Sequence, residues 1–108
     1  MNDAPAGMEA AGSAELVNAV GLHARPSVKL TKLAKRFECR VEIALDPSGP
    51  WMDAKSPVKV MRVKAPLGAV VHVRAAGPGA PAAAAALLQL IRDGFGEEPH
   101  SAAGGGHG

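Results

Sequence analysis

The sequence predicts an α+β fold, a four-stranded, mainly antiparallel sheet with helices packed on one face, in the order βαββαβα. Three observations carry that reading. Cys39 to Leu45 and Ala69 to Ala75 alternate apolar with other residues, the period-two mark of strands with one buried face. Leu30, Leu33, Ala34 and Phe37, and later Leu87, Leu88, Leu90 and Ile91, recur at helical spacing. Single helices thus interrupt the strands, which argues for helices gathered on one face of the sheet and the other face turned to water. The chain has 108 residues, enough for one core that buries roughly two-thirds of the unfolded surface, but not for two cores.

Each element has its own local cause. Residues 1–12 are small and polar without periodicity and read as a disordered extension. Residues 97–108 read as a flexible tail of Ala, Gly and His, so the working domain is placed at 13–96. Ala14 to Ala19 is a short, weakly patterned strand ending at Gly21. An amphipathic helix is expected from Ala24 to Phe37, with Lys29, Lys32, Lys35 and Arg36 off its apolar stripe. The strand Cys39 to Leu45 then meets Asp46-Pro47-Ser48-Gly49-Pro50, which forces a turn, and Trp51 to Ala54 returns as the second strand of a hairpin. Ser56 before Pro57 is an N-cap followed by a first helical residue, opening a short helix over Val58 to Val63 that must stop near Pro66. After the strand through Ala75, Gly77-Pro78-Gly79 breaks the chain, and Pro81 to Arg92 forms the last helix, closed by Gly94.

Composition narrows the function. Net charge is only +2, with no block of like charges, and the aromatics are Trp51, Phe37 and Phe95 with no Tyr. Neither a nucleic-acid tail nor a base-stacking platform is written here, so a basic nucleic-acid binder is a weak reading. No segment is long and apolar enough to span a membrane, and nothing resembles a signal peptide. The single cysteine, Cys39, cannot form an internal disulfide, and a cytoplasmic setting is expected. Its place in an alternating strand makes it a packing residue rather than a nucleophile. No nucleotide loop, metal-ligand cluster or paired acid and base appears, so the chain is not expected to be an enzyme by itself, nor to need a cofactor or metal. His72 reads as a solvent-side strand residue, and His100 and His107 have no ligand spacing.

The run Gly21-Leu22-His23-Ala24-Arg25-Pro26-Ser27 stands apart. It lies where a strand hands over to a helix, and the free N–H groups of a helix's first turn, with the positive end of its dipole, favour an anion there. A histidine beside an arginine is ordinarily just a helix-cap residue. Here the ring offers a lone-pair nitrogen, Arg25 supplies a planar fork for phosphate oxygens, and Pro26 sits where a missing N–H goes unnoticed. Gly21 permits a sharp turn and access to the ring.

Gly-Leu-His-Ala-Arg-Pro at 21–26 resembles the active-site signature of the histidine-containing phosphocarrier (HPr) family of the phosphoenolpyruvate-dependent phosphotransferase system. The resemblance extends over about residues 13 to 96. Ala75-Ala76-Gly77-Pro78 and Gly94-Phe95-Gly96-Glu97 are closer to proteobacterial and nitrogen-branch members. It implies an open-faced β-sandwich, and a carrier that takes a phosphoryl group on Nδ1 of His23 from phosphorylated Enzyme I and passes it to an EIIA-type acceptor. Arg25 would steady the phosphate, with the backbone amides of Ala24 and Arg25. Serving two partners in turn through one exposed site, such a carrier is expected to be a monomer.

Ser56 aligns with the serine modified by HPr kinase/phosphorylase in many members. The sequence departs from the family there, with Pro57, Lys59, Arg62 and Lys64 where an apolar run is usual, so Ser56 reads either as a regulatory phosphosite or as a plain N-cap. Val58 and Met61, with Leu22 near the histidine, form either a small apolar docking patch, steered to an acidic partner by Lys59, Arg62 and Lys64, or a solvated face with core residues. An alternative for the whole chain is a phosphorylation-independent regulatory binding module of the same fold.

Overall fold

The computed structural model describes residues 9–96. Its elements are β1 (Glu9–Glu15), α1 (Ala24–Ala34), β2 (Arg40–Ala44), β3 (Met52–Asp53), α2 (Pro57–Val63), β4 (Val70–Ala76) and α3 (Ala80–Arg92), followed by a 3-10 turn at Gly94–Gly96. The strands make one antiparallel sheet in the order β1-β4-β2-β3. α3 lies against β1, β4 and β2, and α1 packs on α3 and α2. Element order and layering are those the sequence predicts.

The central strands show why the pattern was readable. In β4, Val71, Val73 and Ala75 are buried beneath the helices, while Val70, Arg74 and Ala76 are exposed on the other face and His72 is half-buried there. In β2, Val41 and Ile43 point inward with Cys39 just before them, a buried free thiol packed in the core. Arg74 Nε donates to Glu42 Oε1 at 2.7 Å, and its guanidinium lies 4.0 Å from the centre of the Trp51 ring. This contact offsets the like-charged cross-strand pair Glu42 and Asp53.

β1 departs from expectation. It begins at Glu9 and ends at Glu15 rather than running from Ala14 to Ala19, so residues 9–12, assigned above to the extension, belong to the sheet. The cause is the size of its inward residues. Ala10 and Ala14 pack inward, and a Cβ on Gly12 would sit 2.6 Å from Leu88 Cδ1 on α3. A strand kept small so that a helix can lie close on it has little hydropathy contrast, and its alternation is one of volume. Residues 1–8 and 97–108, including His100 and His107, lie outside the described residues.

Two other ends are shorter than expected. α1 stops at Ala34, because Arg36 N–H bonds to Leu33 O (3.0 Å) and Phe37 N–H to Ala34 O (3.2 Å), tightening the last turn to three-residue spacing. β2 ends at Ala44, which is buried, and Leu45 is 42% exposed instead of inward. There Asp46 takes over: its carboxylate accepts from Ser48 N–H (2.9 Å) and Ser48 Oγ (2.6 Å), and its carbonyl accepts from Gly49 N–H (2.8 Å). The chain leaves the sheet one residue early to make that turn.

Candidate functional site at the start of the first helix

His23 is the N-cap of α1, extended at φ −95° and ψ −164°, with an exposed side chain that makes no capping hydrogen bond. Its carbonyl accepts from Ser27 N–H at 2.9 Å, the first bond of the helix. That leaves Ala24 and Arg25 N–H without intrahelical acceptors, while Pro26, next in line, has no N–H to satisfy. Two donors are therefore left over at the helix start, where His23, Ala24 and Arg25 are exposed. The first turn contains no acidic residue.

The approach to His23 is held from below. Gly21 turns with φ +64°, and a Cβ there would lie 2.3 Å from Ala65 O. That same carbonyl accepts from Leu22 N–H at 2.8 Å. Asn18, almost fully buried, closes the turn: its Nδ2 donates to Gly21 O at 2.7 Å and its carbonyl accepts from Gly21 N–H at 3.1 Å. The histidine thus projects from a backbone fixed on both sides, by the helix it begins and by the segment after α2.

Two shallow clefts meet at Val20, His23 and Ala24. One also includes Arg25, Pro26, Lys29 and Gly96; the other includes Leu22, Met61, Lys64, Ala65 and Pro66. Lys29 is the residue that sequence reasoning placed merely off the apolar stripe. Its Nζ donates to Phe95 O at 2.7 Å, tying the C-terminal turn to the helix one turn after Arg25. Phe95 is buried and held at φ +61°. The i, i+4 spacing of Arg25 and Lys29 was a legible signal, whereas the 66-residue separation of Lys29 and Phe95 was not.

The expected apolar patch needs one correction. Leu22 is 3% exposed and belongs to the core, because its N–H is fastened to Ala65 O and the side chain is drawn inward. The exposed apolar surface near His23 is made by Val20 and Met61, with Val58 farther along α2 at 61% exposure. Ser56 caps α2, its Oγ accepting from Lys59 N–H at 3.4 Å and its carbonyl accepting from Val60 N–H at 3.0 Å.

Residues 10–93 match the family model described as PTS HPr component phosphorylation site. The chain belongs to the HPr family. It is 43% identical over 82 residues to the phosphocarrier protein HPr of Cupriavidus necator, covering 76% of this chain and 90% of that protein. It is 33% identical over 84 residues to the phosphocarrier protein NPr of Escherichia coli, covering 78% of this chain and 92% of that one. Among solved structures, HPr-C-His from Thermoanaerobacter tengcongensis superposes with a TM-score of 0.75 at 31% identity, covering 82% of this chain and 98% of that chain. Like other HPr proteins, this chain is a phosphocarrier component of the phosphotransferase system. Among the described residues, no helix is long and apolar enough to cross a membrane.

Proposed function

We propose that His23 is the phosphoryl acceptor and that Arg25, with the N–H groups of Ala24 and Arg25, steadies the group once it is bound. The observation that carries this is the imidazole at the exposed N-cap of α1, beside two first-turn donors that have no acceptor among the described residues and beside a guanidinium. Nδ1 of the neutral ring attacks phosphorus as the donor's bond to phosphorus breaks, and that electron pair stays with the donor. The dianion then lies at the positive end of the helix dipole. Return of the pair to His23 as phosphorus bonds to the next acceptor empties the carrier for another cycle.

Enzyme I is the proposed donor and an EIIA-type protein the proposed acceptor. The exposed Val20, Met61 and Val58 offer the apolar part of a docking surface, and the exposed Lys59, Arg62 and Lys64 favour an acidic partner. For Ser56 the capping role is the reading we adopt: its hydroxyl is already engaged at the start of a helix whose next residue is Pro57.

Incubation with phosphoenolpyruvate and Enzyme I is expected to add one acid-labile phosphoryl group, measured by intact mass. His23→Ala is expected to take up none, and Arg25→Ala to react about tenfold more slowly. Labelling of His23→Ala at the wild-type level would refute the assignment.

A further inference from the structure

Lys64 ends α2 in the left-handed region, at φ 53° and ψ 42°. A side chain is strained in that conformation, which is why glycine so often closes a helix. Glycine would serve the fold here at least as well: Lys64 is exposed, and among the described residues its side chain makes no hydrogen bond or ion pair. Strain kept where the fold gains nothing from the side chain points to a use for that side chain.

Its placement says what the use is. The next residue, Ala65, bonds through its carbonyl to Leu22 N–H at 2.8 Å and lies against Gly21, one and two residues before His23. Lys64 and His23 line one cleft together with Ala24 and Met61, and among the described residues no carboxylate lines it. Arg25 and Lys29 line the adjoining cleft. His23 therefore has cations on both of the clefts that meet at it.

We infer that Lys64 is a second phosphate-facing cation of the transfer site, whose ammonium contacts the phosphoryl oxygens as the group moves onto His23. The inference rests on His23 being the acceptor. A lysine is suited to this because its flexible stem carries a compact charge to an oxygen without a fixed fork geometry.

Phosphoramidate separates contact with the phosphoryl group from contact with a partner protein, since its small size leaves no docking surface to engage. Its phosphorus–nitrogen bond breaks, the electron pair leaving on ammonia, as Nδ1 of His23 bonds to phosphorus. Uptake by wild type but not by His23→Ala tests the acceptor reading independently of Lys64. Lys64→Gly is then expected to react about three- to tenfold more slowly, and Lys64→Arg within about twofold of wild type. The urea midpoint of Lys64→Gly should equal or exceed that of wild type. The inference is overturned if Lys64→Gly reacts with phosphoramidate at the wild-type rate, including the case where it slows only with Enzyme I as donor, which would make Lys64 a partner contact. A midpoint well below wild type overturns it too, since Lys64 would then be structural.

Discussion

At the scale of single residues, the site depends on what lies beneath it as much as on what it displays. Gly21 has no room for a side chain, since a Cβ would meet Ala65 O at 2.3 Å and its φ is already positive. Gly21→Ala is therefore expected to destabilise the protein by about 2–4 kcal/mol, measured by urea unfolding. It should also slow phosphoryl uptake, because relief of the clash displaces Leu22 and, with it, His23. Unchanged stability in that variant would mean that the loop before α1 is not seated on Ala65. The exposed helix start that carries His23 and Arg25 was legible from the sequence because its signals are local, lying within one turn of helix. Lys29 and Lys64 were visible only as charges: what sets them on the clefts beside His23 is the bond to Phe95 and the left-handed end of α2, and neither is encoded in a short window.

At the scale of elements, packing decides where hydropathy is silent. β1 was placed too late in the chain because its inward residues are Ala, Gly and Ala, and the reason for that smallness is Leu88 on another element. Gly12→Val is expected to overpack the contact between β1 and α3, at a loss of about 1–3 kcal/mol in chemical unfolding. A neutral or stabilising effect would put α3 farther from the sheet than described. The turn between β2 and β3 carries a second prediction. The hydroxyl of Ser48, then its N–H, holds the Asp46 carboxyl below its usual value in the folded protein, with a smaller contribution from His72. The folded state thus binds this proton less readily than the unfolded state. The turn's contribution is present above the ordinary carboxylate range and is lost as pH falls through the lowered value, below about pH 4. Asp46→Asn should remove that acid dependence from the turn, read as amide exchange at Ser48 and Gly49; the same dependence in the variant would assign it to another group.

At the scale of the whole molecule, the sheet divides the protein into two unlike faces. One is covered by α3, with α1 packed on α3 and α2, and its residues alternate strictly enough in β2 and β4 for the fold to be read from the chain. The other is left to solvent. The site lies on neither face: it is where the chain turns out of the sheet into α1, flanked by the end of α2 and the turn after α3, so three separate segments converge on one histidine. This explains why a carrier can be so small. On the proposed reading, His23 is a rigid acceptor with two helix-start amides and nearby cations, and the leaving-group chemistry falls to the donor and acceptor proteins. The central claim is that the group rests on one nitrogen of one residue. Phosphorus–nitrogen coupling in the NMR spectrum of the phosphorylated, nitrogen-15-labelled protein tests it most directly. The account predicts coupling to Nδ1 of His23 alone; coupling to Nε2 of that ring, or to any other histidine such as His72, would contradict it.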